Sequence, residues 1–208
     1  LLEQAVARWE ESRRLLTEYI ERYPNSSEFS EVRFLLARAF QESAVLTRHR
    51  LKEAEVENVR LELRREMHGL INQSREEFRR LQTQLLREEG ADLLDGLGQR
   101  FLRDCYFEIA NNYYALDQFD KSIIAYTSAA NRYPQDPQVL IAYLQMANCY
   151  DRLDEPGEAL SMLVQAKVIL KQLPESAFHH RKTNLTKKEW ETWLDWARVM
   201  RRTEFSQQ

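Results

Sequence analysis

Apolar residues recur at spacings of three and four along most of the chain, as in the run Tyr106, Ile109, Ala110 and Tyr113. This spacing places side chains on one face of an α-helix. Glycine and proline number only five each, and no proline occurs between residues 24 and 134. β-Sandwich and α/β folds of this length need more turn residues than that. The pattern therefore predicts an all-α protein.

Two internal repetitions divide the helical pattern into units. Arg22-Tyr23-Pro24 recurs as Arg132-Tyr133-Pro134, and a polar turn and a new helical pattern follow each motif. A second repetition has a period of 37 residues, in which Tyr106, Ile109, Ala110, Tyr113, Ser122, Tyr126 and Ala129 are followed by Tyr143, Met146, Ala147, Tyr150, Ala159, Leu163 and Ala166. Small residues stand where two helix axes must come close, and large ones stand beside them. The repetition therefore predicts packed antiparallel helix pairs.

These residues resemble the tetratricopeptide repeat (TPR) family. Counted from Arg103, the family's motif positions are Tyr106, Ile109, Ala110, Tyr113, Phe119, Ser122, Tyr126, Ala129 and Pro134, each a residue type that the family accepts. The next unit, from Leu140, matches at seven positions but has Pro156 where an aromatic residue is usual, and its terminal proline is displaced to Pro174. Three extra residues after each Tyr-Pro are similar to bacterial envelope TPR proteins of the outer-membrane-assembly lipoprotein and Tol-Pal-associated types. The resemblance implies a helical array that binds proteins, and it favours the periplasm or cell envelope over the cytoplasm.

The pattern suggests four segments within one continuous domain. Residues 1–44 are expected to form N-terminal TPR-like helices, residues 45–100 a long charged helical insertion, residues 101–174 two regular TPR units, and residues 184–203 a C-terminal capping helix. The chain begins at Leu1 without an initiator Met, so we expect a fragment or a processed form.

The insertion is predicted to be a helical hairpin that projects from the array. Its apolar residues form one narrow seam, made of Val56, Val59, Leu63, Phe78, Leu81 and Leu85. His68-Gly69 is the expected bend, and Ser74 with Glu77 forms a capping box that could start the returning helix. The alternative is one more degenerate repeat pair.

The C-terminal segment is predicted to cover the last apolar face of the array, as repeat proteins require. Thr186 and Glu189 form a capping box at its start. Three tryptophans follow at positions 190, 193 and 196. We interpret them as part of the cap, with an aromatic platform for a ligand as the alternative.

No catalytic or cofactor-binding motif occurs in the sequence. It contains no Gly-rich phosphate loop, nucleophile elbow or zinc signature, so we expect no enzyme activity, cofactor or metal. His179-His180 is an isolated pair, and Cys105 and Cys149 are expected to be buried, inert thiols. The net charge of −3 argues against nucleic acid, and the basic pairs Arg181-Lys182 and Lys187-Lys188 are expected to face solvent. No apolar run is long enough to span a membrane.

The resemblance implies that the first helix of each unit lines a concave groove. The residues on that face are Glu31, Phe34, Arg38 and Gln41, then Asp104, Phe107, Asn111 and Tyr114, then Ile141, Leu144, Asn148 and Asp151. An asparagine amide both donates and accepts, so Asn111 and Asn148 could pair with a peptide backbone. The predicted partner-binding residues are Phe34, Arg38, Phe107, Asn111, Tyr114, Leu144, Asn148 and Asp151.

The predicted function is a non-catalytic scaffold that binds a peptide or a partner helix in this groove. Two alternatives concern the face itself: another helix of this chain, such as the C-terminal one, could cover it, or it could be unused. A third concerns the whole molecule, which could be a structural homo-oligomer or assembly protein that uses the insertion and the repeat faces.

Overall fold

The computed structural model describes residues 2–178 and 185–205, with side chains for residues 3–178 and 185–201. Every regular element in these ranges is helical, so the all-α prediction is confirmed. The helices are α1 (Leu2–Arg22), α2 (Phe29–Glu53), α3 (Glu57–Gly90), α4 (Gly96–Ala115), α5 (Phe119–Arg132), α6 (Gln138–Arg152), α7 (Pro156–Gln172), a short 3-10 helix (Glu175–Phe178) and α8 (Lys187–Phe205). Among the described helices, none has the length and apolarity that crossing a bilayer requires.

The chain divides into two compact units, Leu1–Leu116 and Asp117–Gln208. In the first unit α1 packs on α2, α2 on α3, and α3 on α4. In the second unit α5 packs on α6, α6 on α7, and α7 on α8. Consecutive helices therefore form adjacent pairs within each unit, as expected for a TPR-like array.

The core of the first unit lies where α2, α3 and α4 meet. Its buried side chains are Ala37, Phe78, Leu81, Leu85, Leu102, Cys105 and Ile109. A smaller cluster contains Ala44, Met67, Leu70, Ile71 and Leu116. The small residues Ala37 and Ala44 allow the neighbouring helices to approach α2 closely.

The insertion differs from its prediction because α3 is one continuous helix of 34 residues. The chain turns at residues 54–56, so the expected bend at His68-Gly69 is wrong. A mid-helix glycine costs only about 1 kcal/mol, and the burial of Leu70 and Ile71 beside it offsets that cost. Ser74 does not start a helix either, because it is buried in the middle of α3.

The two ends of the predicted apolar seam behave differently. Leu63, Phe78, Leu81 and Leu85 are buried, as expected for the seam, whereas Val56 and Val59 are exposed beside the turn. α2 and α3 lie side by side as a pair, so the residues of the insertion form the partner helix of α2. This arrangement agrees with the degenerate repeat pair that was the alternative to a projecting hairpin.

Among the described residues, three helices are followed two residues later by an aspartate in the left-handed backbone region. Asp92 follows α3, Asp117 follows α4 and Asp154 follows α6, with φ values of 57°, 56° and 62°. Aspartate is one of the few non-glycine residues that tolerate this conformation, because its short polar side chain can hydrogen-bond locally. At α4 and α6, which end at Ala115 and Arg152, this conformation reverses the chain without a glycine.

The core of the second unit is closed by α8. Its buried side chains are Leu140, Ala147, Ala159, Leu163, Ala166, Leu170, Leu173, Trp190, Leu194 and Ala197. The predicted capping box is present, since the Thr186 N–H donates to Glu189 Oε2 at 2.7 Å and the Glu189 N–H donates to Thr186 Oγ1 at 3.3 Å. The predicted capping box at the start of α8 is therefore confirmed.

The three tryptophans do not share one role. Trp190 is 4% exposed, but Trp193 and Trp196 are 39% and 59% exposed. The interpretation of all three as core cover is therefore wrong for the last two. The reason is the helical spacing: Trp190, Leu194 and Ala197 lie on one face, and positions 193 and 196 turn away from it.

Candidate protein-interaction site

Two of the predicted site residues on the first unit are partly or fully buried. Phe34 stacks on Phe101 with ring centroids 4.8 Å apart, and it meets the edge of Phe78 at 5.5 Å. Phe107 is only 6% exposed. The two rings do not form an open apolar row beside the asparagines, because Phe34 packs against the core of α2, α3 and α4 and Phe107 is buried.

The structure brings Arg38 and Asn111 together on one carboxylate, that of Glu108. Arg38 Nη1 donates to Glu108 Oε1 at 2.9 Å, and Asn111 Nδ2 donates to Glu108 Oε2 at 3.0 Å. Gln41 Nε2 donates to the same Oε2 at 2.9 Å. Arg38 also pairs with Glu42 at 3.2 Å. Charge-assisted hydrogen bonds of this kind hold the side chains in fixed orientations.

Glu108 is the functional candidate that sequence reasoning missed. Its side chain is 19% exposed, and that of Arg38 is 43% exposed, so the group lies at the surface. The signal was available, since Glu108 and Asn111 are three residues apart and such residues are neighbours on a helix. We define Arg38, Gln41, Glu108, Asn111 and the half-buried Tyr114 as the α2–α4 polar face.

A buried polar chain lies beneath this face. Gln41 Nε2 also donates to Asn112 Oδ1 at 3.1 Å, and Asn112 Nδ2 donates to Ser74 Oγ at 3.0 Å. Asn112 and Ser74 are both buried. These hydrogen bonds join α2, α4 and α3, so the packing of the three helices positions the polar face above them.

In the second unit the corresponding residues of α6 are covered by α8. Arg201 Nη2 donates to Asn148 Oδ1 at 2.7 Å, and Arg201 Nε donates to Asp151 Oδ2 at 2.8 Å. Leu144 is partly buried against the core cluster that contains Trp190. This is the alternative in which the C-terminal helix folds back on the predicted face.

Nucleophilic and metal chemistry have no support in the described residues. Burial raises the pKa of the Cys105 thiol well above its ordinary value, with Asp104 and Glu108 adding to the effect. Burial also raises the pKa of Cys149, and both thiols are free and buried as predicted. No group of three or more His, Cys, Asp or Glu suited to a metal ion occurs in the described part of the chain, and His179-His180 and Arg181-Lys182 lie outside it.

Comparisons with known proteins agree with the repeat pattern. Residues 104–136, which cover most of α4 and all of α5, match the family model described as a tetratricopeptide repeat. Among solved structures, the chain is similar to the crystal structure of BtubC (BKLC) from P. vanneervenii, with 13% identity, 99% of this chain and 92% of that chain covered, and a TM-score of 0.42. A comparison with curated proteins found no match. The match over residues 104–136, within an all-helical array of adjacent pairs, supports the TPR family.

Proposed function

We propose that this protein is a non-catalytic scaffold for protein–protein interaction, and that it binds a peptide or a partner helix on the α2–α4 polar face. The observation that supports this proposal is the convergence of Arg38 and Asn111 on Glu108 at the surface of helices within and beside a TPR match. TPR helices present such faces to other proteins, as the family resemblance implies.

The chemistry of the face suits a polypeptide ligand. The Glu108 carboxylate can accept a backbone N–H, and the Arg38 guanidinium can donate to a carbonyl or a carboxylate. Fixed side chains lose little rotamer freedom when a partner binds, and this lowers the entropic cost of association. In this proposal the binding surface is the α2–α4 polar face. It lacks the apolar row of Phe34 and Phe107 that the sequence predicts for the groove.

In this proposal the second unit does not bind the partner. Asn148 and Asp151 already accept hydrogen bonds from Arg201, so a ligand on α6 would have to displace that side chain. Displacing it would cost about 1 kcal/mol, because the pair with Asp151 is only partly buried. We therefore assign the partner to the first unit and treat α8 as a cover.

The test is affinity capture from native lysate with the wild-type chain, Asn111→Ala and a matched control. Asn131→Ala is the control, because Asn131 is an exposed asparagine on α5. Both changes replace an amide by a good helix former, so the fold should survive. We expect the wild type and Asn131→Ala to capture the same protein, and Asn111→Ala to capture several-fold less of it.

Two results would contradict the proposal. Equal capture by all three chains would move the site away from the α2–α4 polar face. Capture of no protein by the wild type, from any lysate tested, would remove the scaffold function itself. Circular dichroism on each variant separates loss of binding from loss of fold.

A second candidate function is homo-oligomeric assembly through the turn between α2 and α3. Val56, Val59 and Leu61 are all exposed there, which places three apolar side chains within six residues. Exposed apolar patches mark association sites. Light scattering on the wild type and on Val56→Ser/Val59→Ser tests this candidate, and a wild-type monomer excludes it.

We also propose a periplasmic or envelope location, from the resemblance of the Tyr-Pro loops alone. Fractionation of the source cell with an antibody to this chain tests it. Recovery in the cytoplasmic fraction would contradict the location without affecting the scaffold proposal.

A further inference from the structure

A second surface feature of the first unit lies at the opposite end of α4 from Asn111. It is a cleft of about 490 Å³, bounded by the α1–α2 link, the start of α2, the end of α3 and the start of α4. None of the residues of the α2–α4 polar face lines it. Its properties can therefore be tested independently of the proposed function.

The cleft has an apolar floor and an apolar rim. Leu85, which is 1% exposed, and Phe101, which stacks on Phe34, form part of the floor. Leu93 and Leu97 lie on the rim, and they are 76% and 39% exposed. Two exposed leucines beside one cleft offer a surface on which an aliphatic side chain could lie.

The charges of the cleft all have one sign. Four carboxylates line it, those of Glu28, Glu31, Glu88 and Asp95. Among the described residues that form its lining, none is Lys, Arg or His. Such a concave surface attracts cations and repels anions.

The fold accounts for two of the four carboxylates. Glu28 Oε2 accepts a hydrogen bond from the Tyr19 hydroxyl at 2.7 Å. Asp95 is the N-cap of α4, where its Oδ1 accepts a hydrogen bond from the Gly98 N–H at 2.6 Å. Both groups therefore have structural roles that do not require a ligand.

The charges of Glu31 and Glu88 are less well explained by the fold. Glu31 lies in the first turn of α2, where the helix dipole favours an anion but no cation lines the cleft. Glu88 lies near the C-terminus of α3, where the dipole disfavours a carboxylate. Its hydrogen bond comes from the neutral Gln84 amide, at 2.8 Å.

Arg33, the first basic residue of α2, is already paired elsewhere. The Arg33 guanidinium lies 4.9 Å from the ring of Phe29 and forms an ion pair with Glu77 at 2.8 Å. Both partners of that pair are mostly buried. Arg33 therefore does not neutralise the carboxylates of the cleft.

We propose that this cleft docks a basic segment of a partner protein, with a Lys or Arg side chain directed at Glu31 and Glu88 and an adjacent apolar side chain against Leu93 and Leu97. A long basic side chain fits both features, because its aliphatic stem covers apolar surface while its charged end meets a carboxylate. Charge complementarity of this kind selects partners and speeds their association.

The experiment measures the binding of a fluorescein-labelled peptide of alternating lysine and leucine by fluorescence anisotropy. A peptide with glutamate in place of lysine is the matched negative probe. The test variant is Glu31→Gln/Glu88→Gln, which keeps the side-chain shapes and the acceptor for Gln84. The control, Glu62→Gln/Glu191→Gln, removes the same charge from exposed positions outside the cleft.

We expect the lysine peptide to bind, the glutamate peptide not to bind, and the test variant to bind roughly tenfold more weakly. The control should match the wild type, and salt should weaken binding because the pairs are exposed. Leu93→Ser should also weaken binding, without a change in the melting temperature.

Three results would overturn the proposal. One is an absence of lysine-peptide binding to the wild type. Another is equal affinity for the wild type and Glu31→Gln/Glu88→Gln. The third is a loss of affinity for the lysine peptide in Glu21→Gln/Glu76→Gln but not in Glu31→Gln/Glu88→Gln. Glu21 and Glu76 line a different cleft, between α1, α2 and α3, so this result would place the peptide there.

Discussion

Arg201 near the end of α8 holds Asn148 of α6, with 2.7 Å between Nη2 and the amide oxygen. The same guanidinium contacts Asp151 at 2.8 Å. At the other end of α8, Trp190 is buried in the core of the second unit. The helix is thus held by apolar contacts near its start and by polar contacts near its end.

Replacing Arg201 tests the polar attachment. Arg201→Ala should lower the free energy of unfolding of the second unit by about 1 kcal/mol, because the hydrogen-bonded pair with Asp151 is only partly buried. Urea unfolding followed by tryptophan fluorescence measures the change. Lys188→Ala, at an exposed position of the same helix, is the control. Identical midpoints for both variants would show that the contact adds nothing to stability.

Two neighbouring asparagines of α4 should respond differently to the same substitution. Asn112→Ala removes a buried amide, leaves the Ser74 hydroxyl without this donor and removes one of the two hydrogen bonds of Gln41, so we expect a loss of roughly 2 kcal/mol. Asn111→Ala acts on a half-buried side chain and should cost less than about 1 kcal/mol. Chemical denaturation of the two variants measures the difference in stability. Equal losses of stability would contradict a structural role for the buried hydrogen bonds between Gln41, Asn112 and Ser74.

The tryptophans of α8 allow a second paired comparison. Trp190→Ala should destabilise the protein by about 3–5 kcal/mol, because it leaves a cavity under the cap. Trp196→Ala should change stability by less than about 0.5 kcal/mol, since this ring is exposed. Thermal unfolding of both variants provides the measurement. A large loss in Trp196→Ala would show that its ring is covered in solution.

Acid should loosen α8 through two carboxylates. Hydrogen bonds from the Thr186 backbone and hydroxyl hold the pKa of Glu189 below its ordinary value of 4.5. A hydrogen bond from Lys167 holds the pKa of Asp195 below its ordinary value of 3.8. A lowered folded pKa gives stability that is present above the unfolded value and is lost as the pH falls through the folded value.

The pH at which α8 loosens is therefore expected to lie below about 4.5. Tryptophan emission during an acid titration follows the change, because three of the four tryptophans lie on this helix. Glu189→Gln/Asp195→Asn should show a smaller shift over the same range. If its titration matches that of the wild type, other groups control the acid response.

The repeat core was predictable because its residues contact close sequence neighbours. The pattern from Tyr106 to Pro134 predicted a helix pair, and the family match covers nearly the same residues. Burial of Ala110 and Ala147 follows from their positions at helix crossings. Local spacing is enough wherever a helix packs against the next one in the chain.

Long-range contacts were not predictable in the same way. Nothing in the local sequence indicates that Ser74 meets Asn112 or that Gln41 meets Glu108, because these partners are 38 and 67 residues apart. Gly69 indicates a bend locally, but its neighbours Leu70 and Ile71 are buried with Ala44 and Leu116, which are distant in sequence. Arg201 likewise meets its partners from 50 and 53 residues away.

The buried Ser74 has a consequence for the uniqueness of the fold. The apolar side of α3 repeats similar side chains every three or four residues, so leucine packing alone would tolerate a slide by one turn, about 5.4 Å. Such a slide would bring Leu70 or Phe78 opposite Asn112 and leave the amide unpaired. Together with the ion pair between Arg33 and Glu77, the Ser74 hydroxyl thereby favours one register of a helix 34 residues long.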